Sequence, residues 1–422
     1  MRHKEEETER QTYFTHTLEC GLRIICTQSP TQIVYAGIAV DAGTRDELDS
    51  ESGMAHFTEH MSFKGTPRLS SRQVSARMES VGGDLNAYTG KEETVYYTTF
   101  LRQHLDRAVR LLTDMVLHST FPQEEMTREA EVVVEEIKSY NDQPSELIFD
   151  EFESIIFGQH PLGRSILGQA ERLRQFRTAD MQAFHSRMYR PDRMVLFVRG
   201  QVDPRQVVRL AEREVARYGI EEATGQPIPR LAPASGLRPA EPILRRQKDT
   251  HQAHVLLGAP AYAGNDPRHL SMFVLSMLLG GPCMSSRLNV ALRERRGLVY
   301  TVESNTASYT DTGLWCIYFG CSPHDVDRCL RLVHKELRRL TDAPLSQRAL
   351  NALRQQLKGQ IGVTEDNFES HAIGMAKRFL HYGTTRTTQQ TFDRLDAITP
   401  DELLTTARET FDPGRLQTLI YE

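Results

Sequence analysis

The chain repeats itself. LSSRQVSARME from Leu69 is answered by MSSRLNVALRE from Met284, and LDRAVRLL from Leu105 by VDRCLRLV from Val326. TADMQAF from Thr178 pairs with TPDELLT from Thr399, and YRPDRMVLF from Tyr189 with FDPGRLQTL from Phe411. The four pairs keep one order, and their offsets stay between 215 and 222 residues. A repeat of that length is a whole domain doubled, not a solenoid unit. Any fold for the 422 residues must therefore contain the same architecture twice. Between the copies runs TGQPIPRLAPASGLRPAEP, residues 224 to 242, whose five prolines disfavour helix and central strand alike. A first domain over 1–220, a linker over 221–248 and a second domain over 249–422 are expected.

Each copy alternates strands and helices. RIICTQ, IVYAGIAVDAG, TVYYTTF and MVLFVRG are rich in β-branched and aromatic residues, at strand length. QHLDRAVRLLTDMVLHS and PQEEMTREAEVVVEEIKSY carry apolar residues at helical spacing. Pro122 suits a helix start, and the acidic residues after it favour one. The order predicts an α+β fold of two duplicated domains. Each is a mostly antiparallel sheet with helices packed on one face.

Several function classes drop out. A net charge of −5 with mixed signs offers no basic face to nucleic acid. The start, MRHKEEETERQ, has no apolar core for a secretory signal. No apolar run approaches the roughly 18 residues that span a bilayer. A soluble, cytoplasmic protein is expected, with no membrane partner. Cys20, Cys26, Cys283, Cys316, Cys321 and Cys329 are scattered without a CxxC pair, which predicts reduced, mostly buried thiols.

The chemistry is concentrated in HFTEHMSFKGT, residues 56 to 66. Asp49, Ser50 and Ser52 are N-cap candidates for a helix from Met54, and Gly65 and Pro67 stop it. His56 and His60 are four apart, so they share one helix face, at the reach needed to hold one zinc ion. Glu59 is near that face. There it can take a proton from a metal-bound water and pass it to a leaving amine. A solvated helix face of His and Glu is the plainer alternative. Catalytic zinc takes a third protein ligand. The helix after Pro122 offers Glu129, Glu135 and Glu136; the pattern alone does not choose among them.

GMAHFTEHMSFKGT carries the inverted H-x-x-E-H signature of the inverzincins and strongly resembles peptidase family M16. Length and duplication resemble its short, processing-peptidase-like type, related to pitrilysin and insulin-degrading enzyme. The resemblance implies a zinc metalloendopeptidase with one Zn2+ per chain. Its ligands are His56, His60 and Glu136, its general base is Glu59, and Glu129 orients the site from behind the ligands. GGDLNAYTGKEETVYY from Gly82 resembles the family's edge strand beside the metal. Gly83, Asn86, Ala87 and Tyr88 would there hold substrate as an added strand. LRERRGLVY resembles a family Arg/Tyr pair, which makes Arg293 and Tyr300 candidates for contact with substrate and the reacting carbonyl oxygen.

The second copy lacks metal chemistry. MFVLSMLLGG from Met272 has no His or Glu, and Leu357 or Lys358 stands opposite Glu136. In the family, the two copies form half of a clam-shell chamber. The resemblance therefore implies peptide substrates and a homodimer, with a heterodimer containing another M16-like subunit as the rival arrangement. LLGGPCMSSRL is too short to resemble the long glycine-rich loop of a purely supporting subunit. A non-catalytic scaffold subunit is the alternative function.

Overall fold

The computed structural model describes residues 13–217, 228–233, 241–248 and 250–422. The first half begins with strands β1 (Tyr13–Thr17), β2 (Arg23–Gln28) and β3 (Ile33–Val40). Helices α1 (Met54–Ser62) and α2 (Ser71–Glu79) lead to the hairpin β4 (Asp84–Thr89) and β5 (Thr94–Leu101). Then come α3 (Leu105–Leu117), α4 (Gln123–Asn141), α5 (Pro144–Phe157), α6 (Ala170–Leu173) and α7 (Thr178–Met188). Strand β6 (Met194–Gly200) and α8 (Pro204–Arg217) end this half. The second half repeats the plan with β7 (Ile243–Arg246), β8 (Ala253–Ala261), α9 (His269–Gly280) and a π-helical turn at Asn289–Glu294. It continues with β9 (Val299–Ser308), β10 (Gly313–Cys321), α10 (Val326–Asp342) and α11 (Gln347–Glu365). Last are α12 (Phe368–Tyr382), α13 (Thr388–Ala397), α14 (Pro400–Thr410) and β11 (Gln417–Tyr421).

The sheets show the duplication as topology. One has the order β1-β2-β6-β3-β5-β4, the other β7-β11-β8-β10-β9. Leaving out β1, the two orders match strand for strand. In both, one pair is parallel (β2 with β6, β7 with β11) and the remaining pairs are antiparallel. Strand β4, which follows α1 and α2, is an edge strand. Helix periodicity fits the core: α10 buries Val326, Cys329, Leu330, Val333, Leu337 and Leu340, one stripe of an amphipathic helix.

The compact units do not follow the sequence halves. One unit is Met1–Val134, Ile166–Ile228 and Ile361–Phe392; the other is Glu135–Ser165, Pro229–Gln360 and Asp393–Glu422. In the first unit, α12 of the second half lays Ala372, Met375, Ala376 and Phe379 against Ile25, Ala39, Val95 and Phe197. The alternate residues Val34, Ala36 and Ile38 are at most 1% exposed on the face toward α3. In the second unit, α5 of the first half packs Ile148 and Phe152 against Leu256, Leu314, Cys316 and Leu419. Helices of its own half cover one face of the first sheet, and a helix from the other half covers its second face. This explains why MVLFVRG in β6 is buried at all seven positions: a strand covered on both faces reads as a continuous apolar run.

The expected linker over 221–248 lies largely outside the described residues. All six cysteines are free thiols, and only Cys283 is not buried. No helix among the described residues is long and apolar enough to cross a membrane.

Candidate metal centre

Helix α1 is started from a distance. Its N-cap is Gly53, in the left-handed region at φ 89°, with no side-chain cap. The expected caps do not act: Asp49–Glu51 form a separate 3-10 turn. The Glu47 carboxylate instead accepts the N–H groups of Gly53 (3.1 Å) and Ala55 (2.8 Å). It is 4% exposed, and a negative charge at this end also suits the helix dipole. The turn so fixed carries His56. His60 follows one turn later, with the two imidazole centroids 4.6 Å apart.

Ligand-capable atoms of His56, His60 and Glu136 lie within 4.8 Å of one another. Glu136 is on α4, an unbroken helix that also carries Glu129 seven residues earlier, on the same face. The division between compact units falls inside this helix, after Val134. Glu135 points elsewhere, pairing with Lys138 at 2.7 Å in solvent.

The donor set fits zinc. Glu129 Oε1 is 3.0 Å from His60 Nδ1, and Lys64 Nζ is 2.5 Å from Glu129 Oε2. Burial favours the neutral carboxyl, but the hydrogen bonds from His60 and Lys64 outweigh it and hold Glu129 below its usual range. An ionised acceptor at Nδ1 fixes the proton there and leaves Nε2 with its lone pair. Burial, with the neighbouring His60, pushes His56 down to about 3. At neutral pH it is the uncharged imidazole, which is the form that ligates metal. Two imidazoles and one carboxylate are a familiar catalytic zinc set.

Glu59 is 8% exposed and faces the edge strand, where the Thr89 hydroxyl donates to Glu59 Oε2 at 2.6 Å. Pairing runs from Asp84↔Thr99 to Thr89↔Thr94, and no described strand pairs with the other side of β4. One expectation changes here: the Ala87 N–H is met by the side-chain oxygen of Asn86 at 3.0 Å, so an incoming strand must displace that contact. Tyr88 is on the opposite strand face from Thr89, packed beside α12 with the Lys377 ammonium 5.9 Å from its ring. Gly82 needs its freedom (φ 75°). At Gly83 the reason is steric, because a Cβ would come 2.9 Å from the Thr99 carbonyl oxygen.

Arg293 and Tyr300 are neighbours in the second unit, with the guanidinium 5.8 Å from the ring centroid. Tyr300 is 81% exposed and lines a cavity of about 470 Å³ with Phe149, Glu303 and Tyr318.

Sequence reasoning missed Glu47, Lys64 and Thr89. The signal for Thr89 was strand parity: Ala87 and Thr89 share one face of β4, Asn86 and Tyr88 the other.

Comparison with known proteins gives one answer along the chain. The model of the insulinase domain, peptidase family M16, matches residues 23–170, and that of the M16 inactive domain matches residues 175–357. YmxG of Bacillus subtilis, described as an uncharacterized zinc protease, is 33% identical over 410 residues, covering 96% of this chain and 97% of its own. A Streptomyces coelicolor protein of the same description is 33% identical, covering 96% and 88%. Among solved structures, a protease from Helicobacter pylori has a TM-score of 0.88 at 20% identity, covering 98% of this chain and 100% of its own. A peptidase M16 inactive domain from Pseudomonas fluorescens has a TM-score of 0.86 at 18% identity, covering 97% of each chain. At such identities these two structures speak for the fold.

Proposed function

Because the chain belongs to peptidase family M16, we propose that it is a zinc metalloendopeptidase acting on peptides or unfolded segments. The observation that carries this reading is the convergence of His56, His60 and Glu136 within 4.8 Å. When bound there, zinc supplies a Lewis acid that polarises the scissile carbonyl and makes the attacking water more acidic. Glu59 takes the proton from that water and returns it to the leaving amine. Thr89 holds one oxygen of the Glu59 carboxylate and so orients the group. Glu129 keeps the His60 ring in the tautomer and orientation a ligand needs. The open side of β4 receives substrate main chain as an added strand, which accounts for tolerance of sequence. Arg293 and Tyr300 are donors for a developing oxyanion. In a two-fold homodimer, each copy would lend this pair to the other's metal centre.

The test is chelator-sensitive cleavage of a mixed peptide library, with zinc content measured on the same samples. Glu59→Gln should abolish cleavage and leave about one zinc per chain. Unchanged turnover in that variant overturns the assignment of the base. A wild-type protein that binds no zinc and cuts nothing is a scaffold instead.

A further inference from the structure

Among the described residues the second half adds no member to the His–Glu group, yet its helix α12 reaches the hairpin that touches the base. Glu93, 7% exposed, lies at the turn between β4 and β5. Its Oε1 is 2.5 Å from Lys377 Nζ and its Oε2 is 3.1 Å from His381 Nε2. His381 Nδ1 also faces Asp41 at 3.6 Å, and Asp41 faces Arg193 at 3.2 Å. Burial disfavours the Glu93 anion, but the His381 hydrogen bond and the Lys377 charge hold the carboxyl down to about 2. The turn closes on the Gly90 N–H bond to the Glu93 carbonyl at 2.7 Å. Its other flank is pinned by the buried pair Arg45–Glu92 at 2.6 Å. Thr89, immediately before this turn, donates to Glu59.

We propose that α12 is a positioning element for the base: Lys377 and His381 hold Glu93, Glu93 fixes the β4–β5 turn, and the turn sets where the Thr89 hydroxyl holds the Glu59 carboxylate. Thr89 and Glu93 are then positioning residues, and a helix from the metal-free half tunes the metal half within one chain. This rests on the peptidase reading for its kinetic part and on geometry alone for the clamp.

Coupling is the signature that general destabilisation does not produce. Thr89→Val should lower kcat about tenfold, the worth of a hydrogen bond to a charged group. KM and zinc affinity should stay near wild type, and Thr89→Ser should restore most of the loss. Glu93→Gln and Lys377→Met should lower kcat alone but add nothing in the Thr89→Val background. Met375→Ala, a core change on the same helix, should lower Tm without lowering kcat. In zinc-free protein, hydrogen exchange over residues 84–94 should quicken in Glu93→Gln and Lys377→Met, and not in Met375→Ala. Strictly additive kinetic losses, or hairpin exchange equal to wild type in both clamp variants, overturn the proposal. Failure of the peptidase reading shows in a different place, the Glu59→Gln variant, and leaves the exchange measurement to decide the clamp.

Discussion

Removing the carboxylate of Glu47 should loosen the metal helix at its root. Two backbone N–H groups of the first turn end on it, at 3.1 Å and 2.8 Å, in a buried site. A hydrogen bond to a charged group contributes about 1.5–3 kcal/mol, and a buried donor left unmet costs a similar amount. Water that enters the space left by the side chain recovers part of this. Glu47→Ala should therefore cost about 3 kcal/mol, within the range for loss of a buried polar network. At about 2–4 °C per kcal/mol for a unit of this size, the zinc-free protein should melt about 6–12 °C lower. Because His56 is the third residue of the helix, zinc affinity measured by chelator competition should fall as well, by about tenfold. Glu47→Gln keeps one acceptor oxygen and should show a smaller loss in both assays. If Glu47→Ala melts within about 0.5 kcal/mol of wild type, the ordinary surface range, and binds zinc as tightly, then the cap does not hold the helix.

Glu136→Gln should lower zinc occupancy, whereas Glu135→Gln, on a residue paired with Lys138 in solvent, should leave it unchanged; metal analysis after dialysis separates the two. Glu129→Gln should weaken zinc binding about 10–100-fold, because the amide no longer fixes the proton on His60 Nδ1; a chelator titration reads it. Glu93 has its carboxyl at about 2 when folded against about 4.3 when free. Its contribution, about 3 kcal/mol, is present above the unfolded value and lost as pH falls from about 4.3 through about 2. The difference in urea stability between wild type and Glu93→Gln should be full at pH 6 and shrink toward zero near pH 2; a gap that does not change with pH refutes it.

Strands were legible because their residue types and lengths are local properties: RIICTQ, TVYYTTF and MVLFVRG coincide with β2, β5 and β6. The doubled plan was legible as spacing. The exchange of α5 and α12 was not, because an amphipathic stripe says that a helix packs without saying on which sheet. The apolar run Met194–Val198 in β6 was the one local hint of two covered faces. At the site, the H-x-x-E-H spacing located α1 and its facing imidazoles, and the helix expected after Pro122 is α4, which carries Glu136. The cap was misplaced because Glu47 reaches forward six residues to Gly53, whereas capping patterns look at adjacent positions. Thr89 escaped because its role depends on which face of β4 meets α1.

The traded helices bear on how this polypeptide can be made and divided. An N-terminal fragment ending near residue 217 would leave Ile25, Ala39, Val95 and Phe197 without the helix that covers them. A fragment from residue 241 onward would lack Ile148 and Phe152 over its own strands. Neither piece is self-sufficient, but mixed together they carry complementary missing parts and should reconstitute one particle. On the ribosome, the first sheet waits for a segment translated some two hundred residues later. The second waits for β11, Gln417–Tyr421, which threads between β7 and β8. Neither layer can close until the segment that completes it, Phe368–Tyr382 or Gln417–Tyr421, has been made.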